Sequence, residues 1–263
     1  EMSMAAHSLW GVSAMKTFLS YVSLLRGNIH LGYKASDEAM QMAEDSGDIF
    51  SKSMAYITHG FSYIGRGFFT EAEKYLLKGI NFCERINLFI WNTFAHDFLG
   101  EMYFQLREYE KCRSCYEKAI GFLEQAEFGP SRVNYLRIGL ATAKVMRNER
   151  DIDLKSLYGY AQENKIRELD GPTRRFIGQI LLNIDHQHLS EAEDWIQKAI
   201  EADQRNGMMF HLGKDYALYA ELFKRKGDRL KARKNLGRAI EILKECGADG
   251  WVEKYQKELA LIS

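Results

Sequence analysis

The sequence predicts an all-α solenoid of about six helical hairpins followed by a C-terminal capping helix. Three observations predict it. Small and apolar residues return in fixed columns every 40 positions. The chain holds only two prolines, is plentiful in Leu, Ala, Glu and Lys, and shows no alternating strand pattern. Turn chemistry punctuates the helical patterns at regular intervals. A length of 263 residues alone suggests one or two globular domains. An internal repeat overrides that prior, because each hairpin packs only on its neighbours. Residues 1–263 are therefore expected to form a single solenoid.

The columns are clearest from the stretch Gly227–Ile240. Stepping back in forties from Ile240 gives Ile200, Tyr160, Ile120, Ile80 and Met40, all apolar. The residues before them are Ala239, Ala199, Gly159, Ala119, Gly79 and Ala39, side chains that let a neighbouring helix approach closely. Seven positions earlier stand Gly32, Ala72, Cys112, Ile152, Ala192 and Ala232, with Ile152 the exception to smallness. A further column, Ser20, Gly60, Gly100, Leu140, Ile180 and Ala220, is small except in the middle two repeats. Three residues beyond it, Tyr63, Tyr103 and Phe223 favour an aromatic.

Taken in order, repeat one spans about 7–47, with a turn at Arg26-Gly27-Asn28, and ends on Ser46-Gly47-Asp48. Repeat two (48–87) turns at Gly65-Arg66-Gly67, and repeat three (88–128) near Arg107-Glu108. Gly129-Pro130 stops one helix and opens the next, since proline suits a first helical turn. Repeat four (130–170) has Arg147–Arg150 in place of a turn glycine. Asp170-Gly171-Pro172-Thr173 is expected as another stop and start, giving repeat five over 172–206. Repeat six covers 207–247. Beyond it Asp249 is expected to cap a helix over 249–262, with Val252, Tyr255, Leu259 and Ile262 on one face. A solenoid needs such a terminal cap with a polar outer side.

A small residue, a large one three later, then small residues twelve and nineteen after the first is a spacing that resembles the tetratricopeptide repeat. The resemblance runs over nearly the whole chain and is sharpest in repeats two, three and six. It implies a right-handed superhelix. Two departures stand out: the period is 40 rather than 34, and the proline that usually closes the second helix is absent. They imply a longer second helix or a longer connection. Similar long-period arrays occur in maltose-regulator-type bacterial transcription activators and in the C-terminal regions of signalling ATPases coupled to nucleotide cyclases. The ending KECGADGWVEKYQKELA resembles the close of a cyclase-associated array.

Charge and cysteine usage narrow the function. With 36 basic and 36 acidic residues the net charge is zero, which argues against a helical-repeat reader of nucleic acid. Four cysteines at spacings unlike a disulfide framework point to a reducing compartment, so a cytoplasmic location is expected. No stretch of about 18 apolar residues is present to span a membrane. The opening EMSMAAHSLWGVSAM lacks the layout of a signal peptide and reads as the first helix of repeat one, as in a domain excised from a longer protein.

Candidate chemistry has a structural explanation at each place. Cys112 and Cys115 form a C-x-x-C, but no strand precedes it and no second ligand pair accompanies it. Cys112 also belongs to a small-residue column. Asp185, His186 and His188 cluster in one turn without a fourth ligand. His59, His96 and His211 lie on first helices among aromatics, where histidine more often packs than catalyses. No G-x-S-x-G, H-E-x-x-H or Walker A sequence occurs. No catalytic residue, cofactor or metal is expected.

The resemblance further implies a groove lined by the first helices. In repeats one to three those positions include Tyr21, Met54, Ile57, Phe61, Ile64, Phe94 and Phe104, with Asp97 and Glu101. In repeats four to six they include Arg137, Lys144, Arg174, Lys214, Lys224 and Arg225. An exposed apolar half and a basic half are thus expected, suited to a protein or peptide with apolar anchors at one end and carboxylates at the other. The apolar half is equally suited to an upstream domain of the same polypeptide or to self-association. The expected function is a non-catalytic interaction or sensor module of a larger signalling protein. The alternatives are a free-standing scaffold or chaperone adaptor, and a hydrolase with a dispersed site. The adaptor's carboxylate clamp of lysines and asparagines is not assembled at Thr17, Tyr21, Ile57, Phe61, Asp97 and Glu101.

Overall fold

The computed structural model describes residues 2–262, with side chains from Leu9 onward. Thirteen helices and no strand are found among them. They are α1 (Met2–Leu25), α2 (Ile29–Ser46), α3 (Ile49–Arg66), α4 (Phe69–Arg85), α5 (Phe89–Gln105), α6 (Tyr109–Gln125) and α7 (Pro130–Met146). The second half adds α8 (Leu154–Gln162), α9 (Arg167–Ile184), α10 (Leu189–Asn206), α11 (Met209–Arg225), α12 (Arg229–Cys246) and α13 (Asp249–Ala260). Consecutive pairs form antiparallel hairpins that stack on the next pair.

Local chemistry sets the helix ends. Asn28, Asp48, Asp153 and Asp228 accept a backbone N–H three residues on and so satisfy one orphan donor of their helices. Gly47, Gly67, Gly207 and Gly247 end helices in the left-handed region. Where the turn glycine is missing, Asn87, Arg107, Glu127 and Asn148 take that conformation instead, with φ between 50° and 66°. The period of 40 is absorbed by helix length in both members of a hairpin: α3 has 18 residues and α4, α5 and α6 have 17 each, joined by short turns.

The small columns are where helices touch. A Cβ on Gly79 would meet Ile57 at 2.5 Å, one on Gly60 would meet Leu76 at 2.7 Å, and one on Gly100 would meet Tyr116 at 2.7 Å. Ala39, Ala119, Ala199 and Ala239 are fully buried.

Repeat four departs from the rest. Its second helix, α8, has only 9 residues. The stop expected at Asp170–Thr173 is not there: α9 begins at Arg167 and runs through Pro172. The helix starts instead after a local bracket in which the Asn164 amide binds both the N–H and the carbonyl of Ile166. A proline near the amino end removes one backbone bond without ending the helix, since the burial of Leu169, Phe176 and Ile177 holds both sides of it.

The array curves until its end meets its beginning, with α11 packed on α1 and α13 on α3. Gly250 lies against the backbone of Arg66 and Gly67, so close that a Cβ there would sit 2.7 Å from the Arg66 carbonyl. The last helix is thus more than a terminal cap. Its Trp251 is inserted between Phe69 of repeat two and Phe210 of repeat six, ring centroids 5.6 and 5.8 Å away. Its N-cap is Ala248; Asp249, expected as the cap, is the first helical residue and makes no capping bond. Tyr255 and Ile262 of the expected face are buried, while Val252 and Leu259 are half-buried.

Candidate functional site

Ring closure decides the fate of the inner face. Met54, Ile57, Phe61 and Ile64, expected along an exposed apolar groove, are at most 4% exposed. Phe61 stacks on Phe98 with centroids 4.1 Å apart, and Tyr21 packs at 5.9 Å from both Phe61 and Phe94. An open groove would leave these rings in water; the curvature of the array buries them in its own core. Exposed apolar side chains lie elsewhere: Met15, Phe18 and Val22 of α1 are each more than half exposed, as are Phe128, Leu230 and Leu261.

At the centre of the ring the first helices present charges to one another. Arg132 of α7 donates to Asp97 of α5 at 3.1 Å and to Glu168 of α9 at 2.6 Å, and Tyr21 of α1 donates to Glu168 at 3.0 Å. Burial pushes the Asp97 carboxyl up to about 6, against the pull of Arg132. One layer on, Arg175 of α9 donates to Asp215 of α11 at 2.9 Å and lies 3.9 Å from Asp203 of α10. All three are buried, and desolvation raises both carboxyls. Lys214 of α11 is ion-paired with Glu101 of α5. Burial draws its ammonium down to about 7; Asp215 opposes the shift and Lys254 adds to it.

Beside this last pair the ring keeps a cavity of about 380 Å³. Glu101 and Lys214 contribute to its lining, with the aromatic rings of Phe104, Tyr109 and Tyr255, and Arg225 of α11 adds a further cation. Glu101 and Phe104, expected in the apolar half of the groove, thus line the same cavity as Lys214 and Arg225, expected in its basic half. Tyr21, Phe61 and Asp97 border a smaller void of about 30 Å³ that shares Glu101 with the cavity. Four basic positions lie outside both. Arg137 pairs with Glu124 at 2.7 Å, Arg174 with Asp170 at 2.7 Å, and Lys224 with Glu221 at 3.5 Å; Lys144 is half-buried near the end of α7.

Sequence reasoning missed Arg107, Arg132, Arg175 and Lys254. Arg175 and Asp215 occupy one column, a period apart, where repeats two and three hold Ala55 and Ala95. A charge in an otherwise small or apolar column was the available signal. Arg107 sits in a turn and Lys254 on the last helix, outside any first-helix column.

Cys83, Cys112, Cys115 and Cys246 are all buried free thiols, and burial pushes Cys83 up to about 12 and Cys115 up to about 11, which disfavours the nucleophilic thiolate. His188 and the backbone N–H groups of Gln187 and His188 close a turn on Asp185. Among the described residues no group of three or more His, Cys, Asp or Glu side chains is placed to hold a metal ion. No described helix is long and apolar enough to cross a membrane.

A tetratricopeptide-repeat family model matches residues 95–122, within α5 and α6. No curated protein matches the sequence. Among solved structures, the fold is similar to the apo form of RapI, with a TM-score of 0.66 and 14% identity, over 88% of this chain and 83% of that one. It is similar to aspartyl phosphate phosphatase F from Bacillus subtilis, with a TM-score of 0.60 and 13% identity, over 99% of this chain and 72% of that one. It is also similar to a signal transduction ATPase with numerous domains and a tetratricopeptide-repeat sensor from Pyrococcus horikoshii. There the TM-score is 0.51 and the identity 16%, over 94% of this chain and 41% of that one. Identities this low carry the fold and nothing more. With a tetratricopeptide repeat matched in its third hairpin and similar hairpins stacked on either side, the chain has the fold of a tetratricopeptide-repeat-like solenoid.

Proposed function

We propose that this solenoid is a non-catalytic recognition module that takes the end of an acidic peptide into the cavity of its ring, as the sensor region of a larger signalling protein. One observation carries the reading. The cavity walls hold the cations Arg107, Arg175, Lys214, Arg225 and Lys254 against only Glu101, Glu221 and Glu258, although the chain as a whole is neutral. A volume of this order suits a small ligand or a few residues of peptide, not a folded domain. The rings of Phe104, Tyr109 and Tyr255 offer an apolar wall for one anchoring side chain. The P. horikoshii neighbour is described as having its tetratricopeptide repeats as a sensor, which supports the same role here.

The test is selection from a displayed library of random heptapeptides, followed by calorimetry on synthetic versions of the enriched sequences. Acidic residues should be enriched, binding should weaken as salt rises, and Arg107→Glu or Arg225→Glu should weaken it further. Enrichment of no sequence family, or equal binding to both charge-reversed variants, would defeat the reading.

A further inference from the structure

The cations around the cavity differ in how they are balanced. Lys214 has Glu101, Arg175 has Asp215 at 2.9 Å, and Arg225 has Glu221 at 3.4 Å together with the Leu182 carbonyl at 2.7 Å. Lys254 and Arg107 have no carboxylate within ion-pair distance among the described residues. Lys254 reaches only the Gln105 amide oxygen, at 3.2 Å. Its ammonium lies 5.2 Å from the centroid of the Trp251 indole, and the Lys214 ammonium lies 5.2 Å from the same centroid, but only Lys214 has Glu101 as a counter-charge. Burial lowers the affinity of Lys254 for its proton. Glu258 offsets this from beyond ion-pair range, and Arg107 adds to it as a like charge nearby. A half-buried ammonium with a guanidinium on the same cavity wall and no ion-paired carboxylate is unfavourable, and an anion bound beside them would relieve it.

Resting on the recognition reading above, we propose that Lys254 and Arg107, with the Gln105 amide beside them, form an oxyanion site that receives the carboxylate or phosphoryl group of a ligand whose body fills the cavity. Arg107 is suited to the mouth of such a site. It stands at the α5–α6 turn in the left-handed region, φ 61°, with its side chain exposed. Lys254 is fixed deeper, one turn of α13 beyond the buried Trp251. A guanidinium fork and an ammonium point charge can then hold two oxygens of one group.

The test compares unfolding midpoints of the chain in sodium acetate, sodium phosphate and sodium chloride at matched ionic strength. Acetate or phosphate should raise the midpoint saturably over chloride. The apparent affinity should fall by about tenfold or more in Lys254→Met, as loss of a charge-assisted hydrogen bond implies. Arg107→Asn should show a similar loss; it suits the left-handed turn and leaves the core untouched. Lys234→Met, on an exposed face of α12, should change nothing. An effect of acetate alone identifies a carboxylate ligand, and an effect of phosphate alone a phosphoryl ligand. If neither anion exceeds chloride, or if the excess persists in both variants, the site is refuted. Selected peptides that bind Lys254→Met and Arg107→Asn as tightly as the wild type would refute the subsite while leaving the recognition reading intact.

Discussion

The indole Nε1 of Trp251 donates to the main-chain carbonyl of Ile64 at 2.7 Å, across 187 positions of sequence. That carbonyl lies in the last turn of α3 and also accepts the N–H of Gly67 at 3.0 Å. A helix-end oxygen with no intrahelical partner is thereby satisfied twice, once by its own turn and once by the far end of the chain. Since an ideal solenoid has contacts only between neighbouring repeats, this bond marks where the array becomes a ring.

Removing that side chain should open the ring. Trp251→Ala is expected to cost about 3–5 kcal/mol, as for other large-to-small changes of buried aromatics. Small-angle X-ray scattering should show a larger radius of gyration. Trp251→Phe keeps a ring between Phe69 and Phe210 but loses the donor and part of the indole volume, so it should cost about 1–3 kcal/mol, less than alanine, and leave the radius unchanged. An unaltered radius in the alanine variant would mean that closure is held elsewhere.

Arg175 and Asp215 test the buried charges. Arg175→Met leaves Asp215 and Asp203 without a cation in a fully buried setting and should destabilise the chain by about 3–5 kcal/mol. Adding Asp215→Leu removes the stranded charge, so the double variant should be less damaged than the sum of the two single ones. Urea unfolding of the four proteins gives the coupling directly, and strict additivity would show that the pair does not interact.

The columns predicted the hairpins because helix contact imposes a local rule: only small side chains fit where Gly60 meets Leu76 or Gly79 meets Ile57. The ring was not legible, because curvature accumulates from a small rotation at each repeat and no column records the sum. Ile57 and Phe61 therefore read as groove surface when they are core. Pro172 misled for a related reason: its local preference to end a helix is overridden by the packing on both sides of it. In the cavity, Glu101, Phe104, Lys214 and Arg225 were legible as first-helix positions. Lys254 and Arg107 were not, since their place in the wall exists only once α13 has come round to α3 and α5.

Two kinds of glycine should respond oppositely to alanine. A Cβ on Gly171 would fall within the Asp203 carboxylate, which is fully buried beside Arg175 and Asp215. Gly171→Ala should therefore cost about 1–3 kcal/mol through overpacking. Gly121 and Gly237 lie inside α6 and α12 with nothing within 4 Å of a Cβ. Gly121→Ala and Gly237→Ala should each stabilise by about 0.5–1 kcal/mol, through helix propensity alone. Thermal unfolding of the three variants checks the sign, and a stabilised Gly171→Ala would show that the Asp203 packing is loose.

The final prediction concerns pH. Burial lowers His59 and His96 to about 4 and His211 to about 3, each below the unfolded value of about 6.5. Below about pH 6.5 the unfolded chain therefore binds protons that these side chains refuse in the fold, and stability is lost as pH falls toward 4. Each such histidine contributes on the order of 3 kcal/mol to that loss. Asp97, raised to about 6, and Asp203 and Asp215, both raised by burial, work the other way: each holds a proton in the fold that is lost as pH rises through its folded value, which blunts the acid limb. Lys214 acts on the alkaline side. Its folded value near 7 lies below the unfolded value of about 10.4, so the unfolded chain again holds the extra proton and this lysine adds stability from pH 7 to 9, while the buried thiols, raised in the fold, oppose it as the unfolded thiols ionise above about 8.5. Urea midpoints at pH 5, 7 and 9, at constant ionic strength, are compared between wild type and variant, so that the carboxyls and thiols common to both cancel. His96→Phe, which can stack on Phe122 as the imidazole does, should flatten the segment from 5 to 7. The double variant Glu101→Gln, Lys214→Met should lose the lysine's contribution, so its midpoint should rise less, or fall more, than the wild type's between pH 7 and 9. Parallel curves for the two proteins would show that the Lys214 ammonium is held charged in the fold by Glu101, and the assignment to this lysine would be wrong.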